Sequence, residues 1–338
     1  MCSSDLPPRP LHRAAPRLGD AMKRPLTVGI LGAGRISAGF DALGDARVQT
    51  LAHAVSRTPQ LALAGFYDQD PTRAAAAEVK WDCPASPRTR SAWLAAGWDV
   101  ICIATPDDAH ATDLRDVLAQ RPRAVLVEKP LAASDVDATK LLQAARRKGV
   151  PLLVDFPRRE HPAVREVTKQ LRSGALGKVR RVVGHYSGGA RHNGVHLLDL
   201  VAAWLPSVLS VRKLGGGSAE LLLELRTGKG RVPMLLAEAA QPGCYVWELR
   251  TETEHGLVEL TGSPETLRVS RPGPHPNFPG FTALLPQHEW PMEDEPLLLR
   301  VVERLAKLAA SPVAADAQWK LELERQRFFT KVFAHFDR

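Results

Sequence analysis

The chain has 338 residues, 44% of them hydrophobic, and a formal charge of +8, which is enough length and apolar content for two domains with cores of their own. Four scattered cysteines, Cys2, Cys83, Cys102 and Cys244, include no C-x-x-C pair; that argues against a zinc ribbon or a disulfide framework and makes a reducing cytoplasm the expected setting. No run approaches the ~18–20 unbroken apolar residues of a membrane span, and the basic groups (RRK at 146–148, PRRE at 157–160, KVRR at 178–181) lack interleaved aromatics, so neither membrane nor nucleic acid is expected as a partner.

Residues 1–21 are rich in Pro and Arg and show no periodicity, and Met22 begins a segment that reads as an ordinary start. Residues 1–24 are therefore expected to be a disordered or non-native tail. From Leu26 the apolar run LTVGIL closes on GAGRIS, the Gly-x-Gly turn that follows the first strand of a dinucleotide fold. Gly32 would make the tight turn and Gly34 would let the backbone approach a pyrophosphate. Arg35 and Ile36 open the following helix, which would point its amides at the charge. Ser37 stands where the strict pattern has a third glycine.

The next apolar run, LALAGFYDQD, ends on Asp68, an acidic side chain placed to accept hydrogen bonds from a ribose and to repel a 2′-phosphate. NAD is the expected cofactor; NADP stands open, because Arg73 could pair with such a phosphate. Asp68 follows Gly32 by 36 residues where ~20 is usual, which implies an insertion around AGFDALGDARVQ.

Alternation continues with helices at 71–80 and 89–96, a strand at 99–105, a helix at 108–120, a strand at 124–130, a helix at 134–147 and a strand at 151–154. Short apolar strands alternating with helices predict a parallel doubly wound sheet that binds ligands at the carboxyl ends of its strands. Two of those ends are polar: Thr105-Pro106 with His110 downstream, and Glu128-Lys129-Pro130.

Further on, RHNGVHLLDL sets His192, His196 and Asp199 at helical spacings of i, i+4 and i+7, so one face could gather all three onto a metal, a substrate or nothing but a core. No third ligand stands at ordinary spacing for zinc, and no metal is expected. The segments ELLLEL, VPMLLAEA, YVWELRTE and GLVELTG then read as strands of one open sheet, and helices near 295–310 and 314–335 close the chain.

Together GAGRIS, VICIATPDDAH and VLVEKPLA, followed by DFPRREHPAV, SGALGKVRRV and GVHLLD, resemble the glucose-fructose oxidoreductase / inositol dehydrogenase / rhizopine catabolism family of NAD(P)-dependent oxidoreductases. The resemblance is clear over about residues 25–205 and rests on architecture beyond. It implies an α/β chain: a Rossmann domain at 25–154, then an α+β domain at 155–338 with an open, mostly antiparallel sheet that binds substrate and forms homo-oligomer contacts.

By the same resemblance, Lys129 matches the lysine near the nicotinamide and His196 the catalytic histidine. Gly32, Gly34, Arg35, Ile36, Asp68, Thr105, Pro106, His110, Glu128 and Lys129 would line the cofactor. Arg158, His192, Asn193 and Asp199 would line the substrate, with Asp199 orienting an imidazole. His192 departs from the pattern, since many relatives carry an aspartate four residues before the histidine.

The expected function is hydride transfer between the nicotinamide and a secondary alcohol or ketone of a sugar, nucleotide sugar or cyclitol. The alternative is a non-catalytic NAD(P)-binding sensor of the same fold. Arg158, Arg159 and Arg191 hint at an anionic group on the substrate.

Overall fold

The computed structural model describes residues 24–214, 220–227, 230–239, 243–311 and 313–335. The tail reading for residues 1–23 lies outside them. Five strands alternate with helices in the first half: β1 (Leu26–Leu31), α1 (Leu51–Ser56), β2 (Leu61–Tyr67), α2 (Pro71–Lys80), α3 (Arg90–Ala95), β3 (Val100–Ile103), α4 (His110–Gln120), β4 (Ala124–Val127), α5 (Asp135–Lys148) and β5 (Leu152–Val154). All pairings are parallel, in the order β2-β1-β3-β4-β5. VICI of β3 and AVLV of β4 are buried throughout, as strands covered on both faces must be. The order reverses between β1 and β3, so their carboxyl ends open a crevice.

The chain leaves β5 through a 3₁₀ turn at Pro157–Glu160 and enters α6 (Pro162–Ser173), β6 (Val179–Tyr186) and α7 (Val195–Trp204). Seven more strands follow: β7 (Ser207–Leu214), β8 (Glu220–Thr227), β9 (Gly230–Glu238), β10 (Trp247–Thr253), β11 (Gly256–Thr261), β12 (Thr266–Pro274) and β13 (Thr282–Pro291). They join β6 in an eight-stranded sheet of order β13-β12-β11-β10-β6-β9-β8-β7. Only the β6–β9 pair is parallel, giving the open, mostly antiparallel sheet expected. Its inner face packs under α7, where Gly184 of β6 lets Leu197 and Leu236 close over the strand. The outer face carries cross-strand ion pairs, Arg181–Glu252, Arg250–Glu259, Arg268–Glu289 and Arg231–Glu224.

The last two helices, α8 (Leu297–Ala310) and α9 (Val313–Phe333), follow the second sheet in sequence but pack on the first. Leu298, Val301, Val302 and Leu305 of α8 complete a core with β1, α1 and α2 on one face of the parallel sheet. On the other face, α9 lies against α5 and β5. Its Trp319 donates to Val150 O (3.0 Å) and its Gln318 to Leu152 O (3.3 Å). Lys331 near the end of α9 donates to Val208 O of β7 (3.2 Å), so α9 also reaches the second sheet. Among the described residues no helix is long and apolar enough to cross a membrane.

Candidate active site

The turn after β1 is built as the glycine pattern demands. Gly32 has φ +97°, donates to Tyr67 O (2.7 Å), and sits so close to β3 that a Cβ there would lie 2.4 Å from Ala104 O. Only glycine satisfies both conditions. At Gly34 a Cβ would project into open space, room that an approaching phosphate could use. Asp68 hangs from the end of β2 with one carboxylate oxygen on Ala33 N (2.9 Å) and the other on Asp70 N (2.9 Å). It therefore sits against the glycine turn where a ribose reader is needed. These features fit the adenosine half of a nicotinamide dinucleotide.

The element after the turn is not a regular helix. Arg35–Gly39 forms a single π-helical turn, and α1 begins only at Leu51, so residues 40–50 are the insertion that the spacing implied. Arg35 is exposed over the Phe40 ring (4.9 Å), and Ile36 packs on the α1 and α8 side. Inside the insertion Asp41 accepts from Thr50 Oγ1 (2.5 Å) and Gln49 N (2.5 Å) and meets His53 Nδ1 (2.8 Å), pinning the loop to α1. Arg73 lies 3.5 Å from Asp70 in an exposed pair, too weak a contact to withhold its cation from a 2′-phosphate.

On the other rim, Thr105 donates to Asp113 (2.6 Å) at the start of α4, and Pro106 is exposed. His110 is fully buried, its ring nitrogens 2.8 Å from Thr105 O and 2.6 Å from Pro130 O. It joins the β3 and β4 loops and presents no atom to the crevice; its place is behind the cofactor wall.

Lys129 leaves the end of β4, crosses the crevice, and donates to His192 O (3.0 Å) with His192 Nδ1 at 3.4 Å. Burial lowers the Lys129 ammonium pKa, opposed by the charges of Glu128, Asp107 and Asp155. His196 is half-buried, edge-on to Phe156 (ring centroids 5.7 Å). Burial first, then Arg158, Lys129 and His192, hold its imidazole well below the ordinary pKa, so it is neutral. Lys129 thus meets His192 directly, and its charge acts on the neutral imidazole of His196.

The remaining expectations are redistributed. Ala190–Gly194 is a π-helical turn and α7 starts at Val195. The wider turn breaks the i, i+4, i+7 phase, so His192 is exposed at the mouth while Asp199 points into the protein. Asp199 does not orient an imidazole: Arg159 holds it bidentately (2.5 and 2.8 Å) and Arg325 lies at 3.0 Å. Asn193 donates to Ser187 O (2.7 Å), tying the loop before α7, and Gly194 packs on the Tyr186 ring.

Arg158 faces the catalytic side but is already paired. It stacks on Trp247 (4.1 Å), donates to both oxygens of Glu265 and meets Tyr245 Oη (3.1 Å). Arg191 pairs with Asp135 (3.2 Å). With Arg159 on Asp199, each of the three arginines taken as a hint of an anionic substrate has a carboxylate partner.

Sequence reading missed Tyr245, Trp247 and Glu265, which reach Arg158 from β10 and the loops flanking the β10–β11 hairpin, and Asp155, which follows β5. The signal for Asp155 was present: an acid directly after the apolar run LLV, as Asp68 follows its own. Among the described residues no group of three His, Cys, Asp or Glu side chains is placed to hold a metal.

Residues 26–156 match the model of an oxidoreductase family with an NAD-binding Rossmann fold. The chain is 29% identical over 198 residues to D-apiose dehydrogenase of Paraburkholderia graminis, covering 51% of each. It is 31% identical over 155 residues to dTDP-3,4-didehydro-2,6-dideoxy-alpha-D-glucose 3-reductase of Streptomyces antibioticus, covering 46% of this chain and 44% of that protein. The chain thus spans about half the length of the curated relatives it matches. Over nearly its whole length it shares the fold of an inositol dehydrogenase homolog from Azotobacter vinelandii complexed with NAD+ (TM-score 0.69, 17% identity, 94% of this chain and 96% of that one). A 3-ketoreductase from Actinomadura kijaniata, in complex with NADP and TDP-benzene, is similar to the same degree (TM-score 0.69, 17% identity, 92% and 98%).

Proposed function

We infer, from the match of residues 26–156 to the NAD-binding oxidoreductase family of glucose-fructose oxidoreductase and inositol dehydrogenase, an NAD(P)-dependent dehydrogenase or reductase acting on a secondary alcohol or ketone of a sugar, nucleotide sugar or cyclitol. The observation that carries this reading is the meeting of Lys129 with the His192–His196 turn across the mouth of the crevice. A cation and a neutral imidazole side by side are what a hydroxyl under oxidation requires.

Gly32, Gly34 and Asp68 would hold the adenosine half of the cofactor, with the Thr105 and Lys129 loops beside the other half. The nicotinamide, when bound, supplies the hydride acceptor or donor. The chain's own part is proton and charge handling. In the oxidation direction neutral His196 accepts the hydroxyl proton, and the Lys129 ammonium donates a hydrogen bond to the oxygen as negative charge develops on it. The half-buried setting strengthens that contact relative to water. His192, exposed at the mouth and against Lys129, serves as a substrate ligand. Arg158, with its charge already met by Glu265, offers directional N–H donors to hydroxyl oxygens in preference to a bare cation. Self-association through the outer, ion-paired face of the second sheet belongs to the same proposal.

The test is NADH formation by purified protein offered NAD with a panel of neutral sugars, nucleotide sugars and inositols. Turnover on one class supports the reading. NADH binding without turnover on any would favour a sensor of the same fold.

A further inference from the structure

Behind Lys129 the two strand ends bring acids together. Val127 pairs with Val154 in the β4–β5 ladder, so the next residues, Glu128 and Asp155, are neighbours. Burial desolvates both carboxyls, and the charge of Asp155 bears on Glu128. Glu128 Oε1 and Asp155 Oδ1 are both buried without a hydrogen-bond partner, and Asp155 is 4% exposed.

Two carboxylates cannot face each other in a dry place without a proton between them. We propose that Glu128 and Asp155 form a carboxylic acid–carboxylate pair that holds one proton in common and presents Lys129 with a single negative charge. In this role both are positioning residues that set the charge opposite the Lys129 ammonium.

The surroundings agree. Burial first, and then Asp155, raises the Glu128 carboxyl well above the usual range; burial raises that of Asp155 to about 6. The other charged or titratable groups facing the pair are Cys102 of β3, Lys129 after β4, Glu160 in the 3₁₀ turn and Arg325 of α9. Cys102 is itself held as a thiol by burial and these carboxyls. Lys129 and Arg325 favour ionisation and Glu160 opposes it, which leaves one net charge on the pair in place of none or two. The pair behaves as one titrating unit whose protons belong to neither residue alone.

Two measurements on the whole chain at neutral pH test this without any substrate. Infrared spectroscopy of the wild type should show a protonated carboxyl stretch that disappears in Asp155→Asn and also in Glu128→Gln, since either acid left alone beside Lys129 ionises. In protein carrying lysine labelled with carbon-13 at Cε, with the Lys129 signal assigned by its loss in Lys129→Met, each single variant should titrate as the wild type does. The Asp155→Asn/Glu128→Gln double variant should lower the Lys129 midpoint by about one unit or more, as loss of a close opposite charge does. No protonated carboxyl band in the wild type, or a single variant that lowers the Lys129 midpoint as far as the double does, would overturn the proposal. The first outcome would mean that both acids are ionised, and the second that one of them carries the charge alone.

Discussion

Replacing Asp199 by Asn removes one negative charge from a cluster in which Arg159, Asp199, Glu322 and Arg325 have side chains 9%, 1%, 1% and 3% exposed. Two acids balance two guanidiniums there: Arg159 grips both Asp199 oxygens and also its main-chain carbonyl (2.7 Å), while Arg325 sits between Asp199 and Glu322 (3.1 Å). The amide keeps the shape and one acceptor oxygen but leaves a buried positive charge unmatched. Breaking a buried pair in this way costs about 3–5 kcal/mol, and because Asn retains part of the hydrogen bonding, a value near ~3 kcal/mol is expected. For a chain of this size that is a fall of roughly 4 °C in melting temperature.

The assay is denaturant and thermal unfolding of wild type and variant. Arg250→Gln is the control, because it breaks the exposed Arg250–Glu259 pair and should cost no more than ~1 kcal/mol. A loss below ~1 kcal/mol for Asp199→Asn would refute the view that this residue anchors α7 to α9 and the 3₁₀ turn. An intact melting temperature with lost turnover would return Asp199 to the reaction.

Gly32→Ala should weaken NADH binding at least about tenfold and cost about 1–3 kcal/mol, because the new methyl meets Ala104 O at a positive φ; fluorescence titration and unfolding measure the two. Asp68→Ala should narrow the preference for NAD(H) over NADP(H), since the carboxylate that repels a 2′-phosphate is gone; an unchanged ratio of affinities would remove Asp68 from that role. The depressed pKa of His196 has a signed consequence for stability: folded protein declines a proton that the unfolded chain accepts below about pH 6.5. The wild type should therefore lose stability relative to His196→Ala as pH falls through and below that value, and the two should run parallel between pH 6.5 and 8; melting temperatures across the range decide.

What was legible in the sequence was local. The glycine turn, Asp68, Thr105 and Lys129 each stand at the end of an apolar strand, and the doubly wound fold places all such ends along one crevice. The insertion at 40–50 could be read because it lengthened a known spacing. The geometry of RHNGVHLLDL was not legible, because an α-helical period assumes one kind of turn; the π-helical turn at Ala190–Gly194 sends Asp199 into the core and leaves His192 at the mouth. Arginine roles were hidden for a different reason: Glu265 lies 107 residues from Arg158, and nothing in the local pattern announces a partner at that distance. The return of α8 and α9 to the parallel sheet is likewise a tertiary choice, made by apolar faces that any exposed sheet surface could have accepted.

The proposed roles of His196 as proton acceptor and Lys129 as stabiliser of the developing alkoxide are tested most directly by turnover of Lys129→Met, His196→Ala and the double variant, with whichever sugar or cyclitol the wild type oxidises fastest. Each single variant should lower kcat by roughly 10² or more with NADH affinity little changed, because both groups act on the reacting hydroxyl and neither on the adenosine half. A double variant that still turns over near the wild-type rate would contradict those roles.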